Sequence, residues 1–290
     1  MFDSAMLAAY LDRVGITAPR RPTLHALRRI HRAHVAAMPY ENLDIQLGRP
    51  IRLDADSLFA KLVEGGRGGY CYEHNGVLAF ALEAMGFDVR RVLGGVRREV
   101  DGDGAWWNHM PLVVRFPEQH GKDGSEYLAD GGIGTGFRDP LPIRNGSYRI
   151  GAFNFGVWSL GGEEWRCSID PRVANLTFDF TLEERRPEEF ADRCRELSTS
   201  PESPFVRTLA VQNPREHDMW VLRARTLTVY GPAYPDFKSV TVVEDADAFA
   251  SLLRDRFNLT LTDADVAALW AKAVEQHEQK LAEESKAGAV

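Results

Sequence analysis

The sequence has only three cysteines, Cys71, Cys167 and Cys194, among 290 residues, and it contains no C-x-x-C pair. An odd number of cysteines at wide spacing argues against a disulfide scaffold and against a cysteine zinc site. No H-E-x-x-H or comparable set of ligands is present, so we expect no metal. The cysteine content favours a reducing compartment, and we expect the protein to be cytoplasmic.

Long apolar runs and an excess of positive charge are also missing. No uninterrupted apolar segment approaches the roughly 18 residues of a membrane helix, and the N-terminus carries Asp3 where a signal peptide needs positive charge. With 35 Lys and Arg against 42 Asp and Glu, the formal net charge is -7, which argues against nucleic-acid binding through a basic surface. We therefore expect no membrane and no nucleic-acid partner. The oligomeric state stays open, with a homodimer as one alternative.

The length and the apolar periodicity predict several structural units. Residues 1–87 repeat apolar positions every 3.6 residues, which predicts a small helical domain in which Thr23 begins one of the helices. Residues 88–182 contain short β-rich runs separated by Gly, Asp, Asn and Pro, which predict a barrel or sandwich. We predict a connecting helix within 183–205. Residues 206–290 are predicted to hold strands and then two helices that begin at Asp245 and Thr262, with a frayed end at 286–290.

The most informative segment runs from Arg67 to Gly76 and reads RGGYCYEHNG. Two glycines lead into Cys71, which is predicted to open a helix. The positive end of a helix stabilises a thiolate and lowers the pKa of such cysteines into roughly the 3.5 to 7.5 range. Cys71 is therefore a candidate nucleophile. The alternative is an inert buried cysteine, which the polar residues Glu73, His74 and Asn75 in the same turn disfavour.

A thiolate nucleophile needs a base, and the base needs an acceptor that holds its tautomer. His109 and Asp130 are the candidates, because each lies where a predicted strand meets a loop, and functional side chains are often presented there. His74, three residues after Cys71 on the same helix, is the competing base. We favour His109, since a base from another element has better geometry. The other histidines have ordinary interpretations on helix faces or in polar segments: His25, His31, His34, His120, His217 and His277.

Five motifs together resemble the arylamine N-acetyltransferase family, and their order extends across most of the chain. The family pattern R-G-G-x-C-x-E-x-N is matched by residues 67–75, and P-[FY]-E-N-L by residues 39–43. Residues 108–110 match the segment of the catalytic histidine, residues 130–134 the D-x-G-x-G stretch, and residues 198–205 a further family segment. One such motif is weak support, whereas five in register are strong.

The resemblance implies an α+β fold of the three-domain cysteine-proteinase-like (transglutaminase-like) architecture, with an N-terminal helical bundle, a β-barrel and a C-terminal α/β lid. It implies acetyl transfer from the co-substrate acetyl-CoA to aromatic amines, hydrazines or hydroxylamines, an activity of xenobiotic metabolism. Cys71 then carries the acetyl group in a ping-pong mechanism, with His109 as the base and Asp130 as the orienting carboxylate.

The resemblance also implies supporting and binding residues. Arg67 and Glu41 correspond to a charged pair that braces the cysteine loop, with Asn75 as further support. Two departures concern substrate choice: many members have Val and Phe where this chain has Gly131 and Ile133. The candidate contacts of coenzyme A, through exposed backbone N–H groups, are Gly132, Ile133, Gly134, Thr135 and Gly136. The candidate walls of the substrate pocket are Tyr40, Tyr70, Ile133 and Phe205.

Other interpretations of the same residues remain open. A papain-like or transglutaminase-like hydrolase would use the same triad with water as the acceptor, and exclusion of water decides between them. A second alternative is an amide synthase or another acyltransferase of the same family. A third, from another class, is a non-catalytic or redox-sensing protein in which Cys71 is oxidised reversibly.

Overall fold

The computed structural model describes residues 2–117 and 125–287. A π-helical stretch, Phe59–Glu64, directly follows the α-helix Ala55–Leu58, and 3-10 turns occupy Gly102–Ala105, Pro187–Phe190 and Pro235–Phe237. The end predicted to be frayed is helical through Ala287, and its last three positions lie outside the described residues. The α-helices are α1 (Ser4–Val14), α2 (Leu24–Ala37), α3 (Leu43–Gln46), α4 (Ala55–Leu58), α5 (Cys71–Ala84), α6 (Arg98–Asp101), α7 (Ala191–Thr199), α8 (Pro204–Arg207), α9 (Ala246–Phe257) and α10 (Asp263–Ala287).

The strands form two antiparallel sheets, one of eight strands in the order β5-β4-β3-β2-β9-β8-β7-β6 and one of five in the order β1-β10-β11-β12-β13. The strands are β1 (Tyr40–Glu41), β2 (Asp88–Val96), β3 (Leu112–Phe116), β4 (Ser125–Leu128), β5 (Leu141–Pro142), β6 (Gly146–Ile150), β7 (Phe153–Gly161), β8 (Glu164–Ser168), β9 (Thr177–Glu184), β10 (Ala210–Pro214), β11 (Met219–Arg223), β12 (Thr226–Tyr230) and β13 (Lys238–Val242).

The helical segment begins its helices with local caps. The side chain of Asp3 accepts hydrogen bonds from the N–H groups at the start of α1, and Thr23 accepts one from Ala26 N at 3.2 Å. These bonds satisfy donors that a helix start leaves unpaired, and the predicted cap at Thr23 is confirmed. One face of α2 is buried, and it includes Leu27 and Ile30, as the 3.6-residue repeat requires.

The eight-stranded sheet curls around a single apolar core. Side chains from β2, β3, β4, β5, β7, β8 and β9 belong to one buried cluster, including Val92 on a central strand, Leu141 on one edge strand and Phe155 next to the other edge. A flat sheet would keep its two edges far apart, so the shared core shows a barrel-like closure. The predicted strand-rich middle of the chain is therefore confirmed.

The five-stranded sheet is covered by α9 and α10, which share with it a core that includes Val211, Leu222 and Phe249. Asp245 and Thr262 cap these helices through Ala248 N and Asp265 N at 2.8 and 3.2 Å, as predicted. The sheet also takes in β1 from the helical segment, with Tyr40 opposite Gln212. The helical segment is thus joined directly to the lid through strand β1.

The predicted α+β fold with helical, barrel and lid parts is confirmed. Its division into units at residues 1–87, 88–182, 183–205 and 206–290 stays a prediction. Within residues 2–117 and 125–287, every helix is too short or too polar to span a bilayer.

Candidate active site

Cys71 lies at the first position of α5, where two glycines allow the preceding loop to pack closely. A Cβ atom at Gly68 would lie 1.9 Å from the carbonyl oxygen of Pro39, and one at Gly69 would lie 2.7 Å from Glu73 Cβ. Both distances are far below van der Waals contact, so larger residues would displace the loop. Glu73 reaches back from the first turn and accepts a hydrogen bond from Tyr70 N at 3.1 Å, which holds the start of the helix.

A buried network of charges braces this loop. Arg67 donates to Glu41 Oε1 from Nε at 3.1 Å and from Nη2 at 2.7 Å, and it also lies 3.3 Å from Asp44. Lys61 Nζ lies 3.0 Å from Asp44 Oδ2 and 2.7 Å from Glu73 Oε1, so it links these two carboxylates. The structure thus places the predicted Arg67–Glu41 pair at the base of the cysteine loop, within a larger set of alternating charges.

His109 and Asp130 form a fully buried hydrogen-bonded pair. His109 Nε2 lies 2.5 Å from Asp130 Oδ2, and both side chains have an exposed fraction of 0%. Burial works against ionisation of Asp130, but the charge and hydrogen bond of His109, with bonds from Asn75 and Gly132 N, lower the pKa of its carboxyl group. The other ring nitrogen, His109 Nδ1, has no hydrogen-bond partner among the described residues. That nitrogen is therefore available to exchange a proton.

Asn75 ties the helix of the cysteine to the loop of the carboxylate. Its Nδ2 donates to Asp130 Oδ1 at 2.8 Å and to Met110 O at 2.9 Å, while its Oδ1 accepts from Gly131 N and Gly132 N at 2.9 and 3.1 Å. This amide uses both its donors and its acceptor, so it holds Asp130 in one orientation.

For Gly132 and Gly136, the hydrogen bonds of the glycine-rich loop correct the expectation of exposed backbone N–H groups. The N–H groups of Gly131 and Gly132 bond to Asn75, Gly132 N also bonds to Asp130, and Gly136 N bonds to Ile133 O at 2.7 Å. These groups hold the loop together and are not free to bind a pyrophosphate, because each N–H is already directed at an internal acceptor.

Cys71 and His109 line the same cavity, which has a volume of about 790 Å³. The candidate residues on its wall are Tyr40, Phe205, Gly132, Ile133, Gly134 and Thr135.

One candidate wall residue, Tyr70, and one candidate coenzyme A contact, Gly136, lie elsewhere. Tyr70 is fully buried behind the wall, where its hydroxyl hydrogen-bonds to Cys194 and its ring packs edge-on against Phe205 at 5.4 Å. Gly136 lines a different cavity of about 240 Å³. The assignment of Tyr70 as a pocket wall is therefore wrong, because its side chain points into the core. Gly136 does not belong to the cavity of Cys71.

The expectation of a lowered pKa for Cys71 is also wrong. Burial raises the pKa of this thiol well above its usual value, and the charges of Cys194 and Asp130 add to the effect, whereas a hydrogen bond from Tyr72 N opposes it. Desolvation of the charged form outweighs the helix terminus here.

The competing base, His74, has both ring nitrogens occupied. Its Nδ1 bonds to His34 Nε2 at 3.1 Å and its Nε2 to Pro39 O at 3.0 Å, while His34 Nδ1 bonds to the Tyr10 hydroxyl at 3.1 Å. Burial lowers the pKa of His74 to about 4. His120, given an ordinary interpretation above, lies outside the described residues.

The structure adds one residue of a matched motif, Asn108, and four arginines that no motif marks. The carbonyl oxygen of Asn108 lies 3.8 Å from Cys71 Sγ, and the side chain of Asn108 pairs with the backbone of Val96 in both directions, at 2.7 and 3.1 Å. The cavity is also lined by Arg97, Arg193, Arg207 and Arg223. No motif marks these positions, because they lie far apart in the sequence.

Within residues 2–117 and 125–287, no three His, Cys, Asp or Glu side chains are grouped so that they could hold a metal ion.

The fold, with Cys71 at a helix start and His109 on the wall of the same cavity, defines a protein of the cysteine-proteinase-like fold class.

Comparison with known proteins narrows this class. A family model described as N-acetyltransferase matches residues 23–266. An arylamine N-acetyltransferase of Mycolicibacterium smegmatis is 34% identical over 265 residues, covering 89% of this chain and 93% of that protein. The chain belongs to the arylamine N-acetyltransferase family, so the predicted family and its enzyme class are confirmed.

Two further relatives are informative. The structure of Mycobacterium marinum arylamine N-acetyltransferase in complex with CoA is similar, with a TM-score of 0.80 and 30% identity, covering 92% of this chain and 98% of that one. A Salmonella typhimurium protein named arylamine N-acetyltransferase / N-hydroxyarylamine O-acetyltransferase is 46% identical over 131 residues, covering 45% of this chain and 44% of that protein.

Proposed function

We propose that this protein transfers an acetyl group from acetyl-CoA to the nitrogen or oxygen of arylamines, arylhydrazines and arylhydroxylamines through an acetyl-Cys71 intermediate. One observation carries the proposal. Cys71 and His109 line one cavity, and His109 keeps Nδ1 unpartnered while Nε2 is held 2.5 Å from Asp130. A nucleophile, a base with one available nitrogen and an orienting carboxylate are the parts of a covalent acyl-transfer mechanism.

In the first half-reaction, Cys71 gives its proton to His109 Nδ1 and its sulfur attacks the thioester carbonyl carbon. Because burial raises the pKa of the thiol, proton transfer accompanies the attack, and the carboxylate of Asp130 stabilises the imidazolium that forms. The bond between the carbonyl carbon and the sulfur of coenzyme A then breaks, and His109 returns the proton to the leaving thiolate. One thioester replaces another, so the exchange is nearly balanced in energy.

In the second half-reaction, the acceptor nitrogen or oxygen attacks the acetyl group on Cys71 while His109 removes its proton. The bond from carbon to Sγ breaks, and His109 passes the proton to the departing thiolate, which restores the thiol of Cys71. Backbone N–H groups in the first turn of α5 lie beside the reacting sulfur and are the proposed donors to the tetrahedral oxyanion. Each such donor lowers a barrier by about 3 kcal/mol.

The cavity has the size and charge for both substrates. Its volume of about 790 Å³ falls within the usual range for ligand sites, and its walls combine Tyr40, Ile133 and Phe205 with four arginines. Among the described residues, Arg97, Arg193 and Arg207 each pair with a carboxylate, but Arg223 has none within 4 Å. Arg223 is thus the proposed contact for a phosphate of coenzyme A, which the M. marinum relative binds.

All three cysteines are free and buried, which supports the proposed cytoplasmic setting.

Incubation with acetyl-CoA in the absence of any amine tests the mechanism. We expect mass spectrometry of proteolytic peptides to show the Cys71 peptide heavier by one acetyl group, with one equivalent of coenzyme A released. Addition of an arylamine or arylhydrazine should then remove the adduct and yield the acetylated acceptor.

The matched controls are Cys71→Ala, which should show no adduct, and Cys167→Ala, which removes a buried cysteine of the barrel and should keep it. Absence of any adduct in wild-type protein that hydrolyses a peptide or ester would instead support the hydrolase alternative and refute the proposal.

A further inference from the structure

A second cavity, of about 240 Å³, lies where α2, the β6–β7 turn and the β10–β11 turn meet. The turns are in close contact, since a Cβ atom at Gly151 would lie 2.5 Å from the carbonyl oxygen of Glu216. The apolar part of the lining is formed by Ile150, Phe153, Phe155 and Met219. One side of the cavity is thus apolar, and both the barrel and the lid contribute side chains to it.

The polar part of this lining is rich in arginine. Arg32 is bound to Asp139 by two hydrogen bonds of 2.6 Å, and Arg215 bonds to the carbonyl of Arg256 and lies over the Trp220 ring. Both cations therefore already have partners.

Arg138 is different, because it makes no close ion pair among the described residues, although the charges of Glu216 and Asp139 act on it from a greater distance. Within residues 2–117 and 125–287 it has no carboxylate within 4.0 Å, and its Nε is buried without a hydrogen-bond partner. Burial also lowers the pKa of Arg138. Buried polar groups are normally satisfied, and an unsatisfied donor marks a place where an acceptor is missing.

We propose that this cavity binds a small organic monocarboxylate, whose carboxylate accepts hydrogen bonds from Arg138 while its apolar body packs on Phe153, Phe155 and Met219. The lining holds three arginines and two acids, Asp139 and Glu216, which leaves one net positive charge. That balance suits a monoanion and disfavours a phosphate dianion, which Glu216 would repel.

The site is separate from the cavity of Cys71 but shares a loop with it. Gly136 lines the second cavity, and its N–H bonds to the carbonyl of Ile133, whose side chain lines the first. The proposal does not depend on acetyl transfer, so it is tested without catalysis.

Isothermal titration with benzoate, using the full chain, measures this binding. We expect a single site in wild-type protein and an affinity at least about tenfold weaker in Arg138→Gln, since hydrogen bonds to charged groups contribute about 1.5–3 kcal/mol. Ile150→Phe fills the cavity and should weaken binding while Arg138 stays in place. The control Arg144→Gln removes an exposed arginine of the barrel outside the cavity lining and should bind benzoate like wild type.

Three results would overturn the proposal. The first is equal benzoate affinity in wild type and Arg138→Gln. The second is loss of binding in Arg223→Gln, because that residue lines the other cavity. The third is displacement of benzoate by inorganic phosphate at equal concentration, because a site that recognises charge alone would not use the apolar wall.

Discussion

Two groups of buried histidine side chains lie against the turn formed by Asp130, Gly131 and Gly132, and they differ in their hydrogen bonds. His109 is hydrogen-bonded to the carboxylate of Asp130 through one nitrogen and has the other available. His34 and His74 are hydrogen-bonded to each other and lie against Gly131, where a Cβ atom would be 3.0 Å from the His34 ring and 3.8 Å from His74 Nδ1.

Burial by itself therefore does not distinguish a candidate base from a structural histidine. All three rings are almost completely buried, but they differ in their hydrogen bonds, and of the three only His109 lines the cavity of Cys71. A general base needs one nitrogen that can take a proton and an anion that stabilises the resulting imidazolium. His109 has both. The His34–His74 pair instead fills the space next to Gly131.

The rate of acetyl transfer should distinguish the two groups of histidines most strongly. His109→Ala should lower the rate of acetyl transfer by about 10²–10⁴-fold, because general base catalysis is lost. His74→Leu, which replaces a ring with a side chain of similar bulk, should leave the rate close to that of wild type. Release of coenzyme A in the presence of an arylamine measures both. A comparable loss in the two variants would contradict the distinction.

A smaller effect tests whether the His34–His74 pair occupies the space that a side chain at position 131 would need. Gly131→Val should destabilise the fold by about 1–3 kcal/mol, because it overpacks the core against His34. In a His34→Ala background the same change should cost less, because room becomes available. Urea unfolding of both single variants and the double variant gives the coupling energy. Strict additivity of the two changes would show that they do not share this space.

A third test concerns the pH dependence of stability, where the effect within any one pH unit is small. His74 has a pKa of about 4 in the folded protein against an ordinary value of 6.5, so between these limits the unfolded chain binds more protons. Stability should therefore fall as the pH falls from 6.5 towards about 4, with a slope of up to about 1.4 kcal/mol per pH unit for this group.

His34 titrates in the same direction, since burial lowers its pKa as well. The variant His74→Leu should show a shallower decline than wild type in urea unfolding measured at successive pH values. An unchanged slope would mean that His74 is not held neutral by the fold.

Local elements of the fold were predictable, and elements that depend on neighbours were not. The caps at Thr23, Asp245 and Thr262 act within one turn, so residue type alone indicates them. Strand β10 was not predicted, because polar residues interrupt its apolar pattern. In β10, Gln212 and Asn213 are nevertheless buried, since the strand lies between β1 and β11.

The candidate site likewise has features that the sequence predicts and features that depend on the folded structure. Residue order is enough to indicate the family and the helical, barrel and lid parts of the fold, and it singles out Cys71, His109 and Asp130 as the proposed triad, because five motifs stand in the order of the family. Three features became visible only in the folded chain: Tyr70 lies behind the cavity wall, both ring nitrogens of His74 are hydrogen-bonded, and burial raises the pKa of the Cys71 thiol. Each of these depends on side-chain direction and on desolvation by segments far away in the chain, which no local pattern encodes.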